Sequence, residues 1–338
     1  MAIILRMMIG FRYVVSQLFF GFIAVLLLPC SSFAQTKIIF DTDMGPDYDD
    51  VGALTVLHAL SSKGECEILA TVASDGHPDI APTIKVINAY FGKPDIPIGI
   101  PTEHAPNFTA NNNWNDSLIT RFEGLIKSGI DYPRSVDIYR KVLASQPDQS
   151  VTIVTVGFTS NLYDLIKSEP DDFSSLNGMG LVKKKVKEWV AMAGGFPTGK
   201  EFNVEKDSMA SYEVFKQWPT RILFSGFEIG VRIRTGVEVA TMSESLNSPI
   251  QWAYAYNLRT YGGKVSDNRA SWDQTAVLCA VRDPEDYFYV NGPGKFIAYP
   301  DGSNSWDPDT NAQHYFLSHK YPFQKIADIL EELMMHVP

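Results

Sequence analysis

The sequence predicts an α/β fold, a mainly parallel central sheet with helices on both faces. Three observations lead there. Short apolar, β-branched runs alternate with amphipathic stretches along most of the 338 residues, the pattern of strand–helix–strand units. The composition, 45% hydrophobic and 20% charged, suits a chain that buries a core, which excludes a disordered, collagenous or disulfide-framework protein. No internal repeat or low-complexity linker breaks the alternation, so residues 35–338 are expected to form one domain, although the length would allow two.

The first segment stands outside that fold. Arg6 and Arg12 are the only charges in residues 1–34, residues 18–29 are apolar, and Ser32-Phe33-Ala34 puts small residues at the −3 and −1 positions. This order predicts a secretory signal peptide cleaved after Ala34. The apolar run is shorter than the ~20 residues a spanning helix needs, so no stable membrane anchor is expected after cleavage. The mature chain is expected in the periplasm or outside the cell. A lipoprotein signal at Cys30 is disfavoured by Pro29. Cys66 and Cys279 remain, each in an apolar-leaning segment, and two buried free thiols are favoured over a disulfide.

Beyond the leader, residues 37–40 form an apolar strand, followed by a helix at 51–60. A strand at 66–72 precedes a helix at 80–90. Residues 96–100 are extended and flanked by proline. Amphipathic patterning predicts helices at 117–128 and 136–144. The β-branched run at 151–156 is a strand leading into a helix at 161–167. Strands at 186–192 and 221–224 are separated by a helix at 207–216. Helices at 250–261, 273–281 and 325–335 complete the chain. Polar loops are expected at 105–115 and 300–309. In such sheets ligands bind outside the carboxyl ends of the strands.

The formal net charge of −10 comes with no basic run longer than Lys183-Lys184-Lys185, which argues against nucleic-acid backbone binding. The acid is concentrated. Where the strand at 37–40 ends, Asp41, Asp43, Asp47, Asp49 and Asp50 follow within ten positions, with Gly45-Pro46 between them and an apolar helix behind. Asp41 and Asp43 fall on one face of an extended segment, and the turn can bring the later acids back towards them. So many carboxylates repel one another unless they are neutralised. Oxygen-only ligands point to a hard divalent cation, Ca²⁺ before Mg²⁺. The string is no EF-hand, because its glycine is misplaced and no Glu stands at the twelfth position.

This string resembles the amino-terminal signature of the nucleoside hydrolases, the inosine-uridine type N-ribohydrolases. There a strand runs into Asp-Thr-Asp-Pro-Gly and then Asp-Asp; here Met44 replaces the Pro and two extra residues precede Asp49-Asp50. Three later segments resemble the family in order. Residues 151–162 match its strand and Gly-containing turn. Met192-Ala193-Gly194-Gly195 with Glu201-Phe202-Asn203 matches its Met-Gly-Gly and Glu-Phe-Asn stretch, with Asp207 at the next helix. Ser271-Trp272-Asp273 matches its His-Asp segment, with Trp272 in place of the His that protonates the leaving base in several members.

The resemblance implies a Rossmann-like fold and an exported, bacterial-like nucleoside hydrolase that cleaves ribonucleosides to ribose and free base. It implies Ca²⁺ held by Asp43, Asp50, the backbone oxygen of Val156 and Asp273. Substrate contacts are implied for Asp49, Glu201, Asn203, Met192, Asp75 and Trp272, with His77 an alternative to Asp75. Which of Asp47, Asp49 and Asp50 takes metal and which takes ribose stays open. A metal-bound water would be activated by Asp43 as general base, with Asp41 orienting the shell. Tyr254, Tyr256 and Tyr261 lie on a helix near Trp272 and are candidates to stack on the base. Family members commonly form dimers or tetramers, so a homo-oligomer is expected. Two rivals remain: a haloacid-dehalogenase-type Mg²⁺ phosphatase, using a lysine among Lys183, Lys184 and Lys185, and a non-catalytic exported binder of nucleosides or sugars.

Overall fold

Thr36–Thr42 (β1) reads as an apolar run because it lies inside a sheet covered on both faces. The computed structural model describes residues 35–126, 129–261 and 264–338; the leader expected at 1–34 lies outside the described residues. β1 pairs in parallel with Cys66–Ala73 (β2) on one side and Val151–Thr155 (β4) on the other. Ile98–Gly99 (β3) lies beyond β2, and Val186–Met192 (β5), Arg221–Ser225 (β7) and His314–His319 (β12) continue beyond β4, all parallel. Phe288–Ala298 (β10), Asn304–Asp307 (β11) and Thr198–Gly199 (β6) complete the ten-stranded sheet, joined by antiparallel pairs. The sheet is therefore mixed but largely parallel, the α/β class the sequence predicts.

Alternate side chains of the strands enter two cores. Ile38, Phe40, Val154, Val190 and Leu223 face a helix layer built by Asp49–Ser62 (α1), Ile80–Tyr90 (α2), Trp114–Arg121 (α3), Pro249–Thr260 (α11), Trp272–Val281 (α12) and Phe323–Met334 (α13). Ile39, Val72, Ile153, Trp189 and Phe224 face the layer of Ser135–Ser145 (α4), Ser160–Lys167 (α5), Gly178–Lys185 (α6) and Ser208–Gln217 (α8). Every residue of α1 from Asp49 to Leu60 is buried, so this helix has no solvent face. Cys66 and Cys279 are buried free thiols, whose burial pushes their pKa values up.

The departures from expectation cluster late in the chain. Three strands occupy residues 288–319, where the sequence suggests none and a loop at 300–309. Gly292-Pro293-Gly294 interrupts β10 and reads as a turn; the register of β10 against β12 shifts between Asn291 and Gly294, a bulge that accommodates it. α6 opens on Gly-Met-Gly, a poor helix start, and is set instead by Asn177, whose side chain accepts from the Gly180 N–H at 2.9 Å. The helix expected at 117–128 is α3 followed by a 3-10 turn at Glu123–Leu125, while 127–128 lie outside the described residues. Among the described residues no helix is long and apolar enough to cross a membrane.

One long-range clamp bears on the site. Glu331 of α13 accepts from the N–H groups of Gly236, Glu238 and Val239, at the start of the short helix Val237–Ala240 (α10). The preceding strand Arg234–Thr235 (β8) pairs with Arg269–Ala270 (β9), and Thr235 and Ser271 share a hydroxyl hydrogen bond of 2.7 Å. The last helix thus braces the segment leading into α12.

Candidate active site

β1 stops at Thr42, so the two-residue alternation does not carry on to Asp43. Asp41 points towards α4 and α5 and is fully buried. Its carboxyl accepts from the Tyr139 hydroxyl at 2.7 Å and from the Asn161 amide at 3.1 and 3.2 Å. Burial pushes its pKa up to about 7 against the pull of those donors. Asp43, one step past the strand, lines a cavity of about 260 Å³ instead.

That cavity gathers most of the sequence-predicted residues: Asp43, Asp49, Val156, Met192, Glu201, Asn203, Trp272 and Asp273 line it, and Asp50 and Asp75 do not. Val156 and Met192 arrive at the carboxyl ends of β4 and β5. Glu201 caps the short helix Phe202–Lys206 (α7), accepting from Asn203 N–H at 2.8 Å and Val204 N–H at 3.3 Å, and it also accepts from Gly194 N–H at 3.1 Å. Burial raises its carboxyl to about 7, and these backbone donors resist the shift. The Asn203 amide donates to the carbonyls of Val156 and Met192, both at 3.2 Å. Asp207 ties α8 to α5 through the Thr159 N–H and the Ser160 hydroxyl.

Across the cavity the acids of the β1–α1 turn meet the start of α12. Asp49 accepts from the N–H of Trp272 at 3.1 Å and of Asp273 at 3.4 Å, so one helix supplies the N-terminal acceptor of another. Its other oxygen faces Arg269, which also pairs with Asp47. Burial and the Asp47 charge raise Asp49 to about 7, while Arg269 pulls it down. Asp43, Asp50 and Asp273 are all displaced well upward, first by burial and then by neighbouring carboxylates.

The calcium expectation is overturned. Among the described residues, no group of three or more His, Cys, Asp or Glu side chains is disposed to hold a metal ion. Two of the oxygens assigned to a cation are engaged elsewhere, while the second Asp50 oxygen is buried without a partner among the described residues. Asp50 turns one oxygen to the Thr42 hydroxyl, and the Val156 carbonyl receives the Asn203 amide. Asp49, one of the acids left open between metal and ribose, is occupied by backbone N–H groups and Arg269. With no such group of acids, the expected site for Ca²⁺, or for Mg²⁺ on the same oxygens, is not formed by the described residues. The crowded acid is met instead by Arg269 and by carboxyls that hold their protons to higher pH.

Asp75 serves the scaffold. Its two oxygens accept from the N–H groups of His77 at 2.7 Å and Phe108 at 2.9 Å, which fastens the 105–115 loop. Asn112, bonded to Asn257 and Thr260, and Trp114, bonded to the Gly45 carbonyl, fasten it further. Sequence reasoning missed Arg269 and Phe227, both of which line the cavity. A lone arginine three residues before Trp272 was the only signal for the first, and Phe227 had none. The Trp272 ring stacks on Phe227 with centroids 5.4 Å apart, and its Nε1–H donates to the Phe227 carbonyl at 2.9 Å. Tyr261 also lines the cavity; Tyr254 is buried against Tyr48.

Comparison with known proteins agrees with this architecture. Residues 38–312 match the family model described as inosine-uridine preferring nucleoside hydrolase. A search of the curated proteins finds no match. Among solved structures, a plant nucleoside hydrolase superposes with a TM-score of 0.65 at 19% identity, over 89% of this chain and 99% of that one. The inosine-uridine preferring nucleoside hydrolase of Bacillus anthracis gives 0.64 at 15% identity, over 89% and 99%. The purine-preferring ribonucleoside hydrolase of Gardnerella vaginalis gives 0.63 at 14%, over 88% and 99%. At these identities the structures establish the fold. The phosphatase rival loses its lysine as well, since Lys183, Lys184 and Lys185 end α6 and none of them lines the cavity. On the strength of the family match across most of its length, the chain belongs to the inosine-uridine preferring nucleoside hydrolase family, a family of N-glycosyl hydrolases.

Proposed function

We propose that the protein hydrolyses ribonucleosides to ribose and free base, with Asp43 accepting a proton from the attacking water. The observation that carries this reading is the family match together with one cavity that gathers Asp43, Glu201 and Asn203. Water attacks the anomeric carbon, the C1′–N bond breaks with its electron pair going to the base, and the ribosyl group passes through an oxocarbenium-like state. Asp43 must be ionised to act, and its raised pKa means that activity climbs as the pH rises. Glu201 and the side-chain oxygen of Asn203 accept from the sugar hydroxyls, so ribose binding is converted into positioning at the reacting carbon. Trp272 and Phe227 offer an apolar ring surface to the base. Ribose recognition dominates and discrimination between bases is loose.

The leader-like residues 1–34 support an exported location, and the family resemblance supports a homo-oligomer. Cell fractionation and light scattering on the purified protein decide these two points. The activity itself is tested with inosine, uridine and p-nitrophenyl riboside. Ribose release that is lost in Asp43→Asn supports the reading. Binding of nucleoside without turnover by the unmutated protein moves the assignment to an exported binder.

A further inference from the structure

We infer that Arg269 is the group that stabilises the departing base, with guanidinium N–H groups bonding the base as the C1′–N bond breaks. This rests on the hydrolase reading above.

Of the cavity's side-chain donors that keep their protons as the carboxyls ionise, all but one are committed elsewhere. Charge builds on the base as it leaves, so the site needs a donor aimed at it. The Trp272 indole N–H, at the position where the resemblance sets a His, is already committed to the Phe227 carbonyl. The Tyr261 hydroxyl donates to the Pro46 carbonyl at 2.6 Å. The Asn203 amide is spent on Val156 and Met192. His77, the alternative near Asp75, does not line the cavity and faces Asp79 at 3.8 Å. Arg269 is the only Lys, Arg or His among the described residues that line the cavity.

Its guanidinium is fixed from several sides. Nε and Nη2 are engaged by Asp49 and Asp47, and the group lies 5.1 Å from the Trp272 ring centroid and 5.4 Å from those of Tyr48 and Tyr261. Nη1 has no acceptor among the described residues, which leaves two N–H groups to offer. Arg269 and Tyr261 also line an adjoining cavity of about 270 Å³, so the guanidinium forms part of the wall between the two. A donor held in this way needs no reorganisation as the reaction proceeds, and arginine stays charged throughout the working pH range.

In the step, the electron pair of the C1′–N bond goes to the base, which departs as an anion bonded to Nη1–H. The water oxygen bonds to C1′, its proton passes to Asp43, and the base then takes a proton from solvent. Asp43 returns its own proton to solvent, so the sum is nucleoside plus water giving ribose plus base.

The test compares leaving groups in the full protein. p-Nitrophenyl riboside expels an anion stable enough to leave unaided, whereas inosine and uridine do not. Arg269→Met is expected to lower kcat for inosine and uridine by about 10²–10³-fold with little change in KM. Turnover of p-nitrophenyl riboside is expected to fall by less than about tenfold, the scale of one ordinary hydrogen bond, and its retention shows that the site is still folded. Arg269→Lys, which keeps a cation beside Asp47 and Asp49, is expected to show the same selectivity with a smaller loss. Equal losses on both substrate types in Arg269→Lys, or undiminished inosine turnover in Arg269→Met, overturn the assignment. Failure of the unmutated protein to turn over any riboside refutes the hydrolase reading instead.

Discussion

Asp41 gives the sharpest test of how the buried acids set stability. It lies beneath the cavity with no exposed surface, and its carboxyl is raised from the usual 3.8 to about 7. The folded state therefore holds this proton more tightly than the unfolded chain does. Its contribution to folding is fully present below 3.8 and is gone once the pH has passed about 7. That displacement is worth about 4 kcal/mol. Asn in its place carries no titrating proton. Its carbonyl still accepts from Tyr139, and its amide meets Asn161, whose Oδ1 has no partner among the described residues. Asp41→Asn should thus cost about 1 kcal/mol at pH 5 and stabilise the protein relative to wild type by roughly 2 kcal/mol at pH 8, because only the part of the displacement between pH 5 and about 7 is lost in this window. Urea unfolding of both proteins at the two pH values measures the difference of differences, which cancels the same-signed drift from Asp49 and Glu201. If wild type and variant lose stability in parallel between pH 5 and 8, to within about 1 kcal/mol, Asp41 is ionised throughout and the reasoning fails.

Other consequences are open to direct measurement. Asp43→Asn should lower kcat on inosine by about 10²–10⁴-fold while the fold is kept, as read by circular dichroism. Wild-type kcat/KM should rise from pH 5 to 8 as the raised carboxyls of the cavity lose their protons, and a rate that is flat from pH 4 upward would exclude Asp43 as the base. Glu201→Ala strips the acceptor from three backbone N–H groups and should cost about 2 kcal/mol in unfolding free energy, besides weakening substrate binding. Asp75→Ala should speed amide exchange at Phe108 while kcat changes by less than about tenfold, because Asp75 holds a loop and does not line the cavity.

The parallel strands were legible because burial on both faces demands near-continuous apolar runs, as in residues 151–155 and 189–192. β10 was not legible because Gly292-Pro293-Gly294, which the bulge absorbs, looks like a turn when no partner strand is in view. In the site, the dense acids, Glu201 and the Trp272-Asp273 pair stood out by type and order. The sequence displays how many carboxylates there are but not the donors that reach them. The Thr42 hydroxyl lies within the acidic string, whereas the α12 N–H groups and the Arg269 guanidinium come from one distant segment, and folding alone brings that segment to the acids. The cation was inferred from the count, and the count omitted these partners.

The grip of Glu331 on the amides ahead of α10 bears on how the protein is made and handled. The aspartates at and after the end of β1 emerge early in synthesis, whereas the residue bracing Arg269 through β8 and β9 emerges after every side chain that lines the cavity. A nascent chain, or one clipped ahead of Glu331, can contain every cavity-lining side chain and still lack the strut that aligns one wall. A cut ahead of Glu331 therefore leaves the pocket's side chains in place while freeing the segment that carries Arg269.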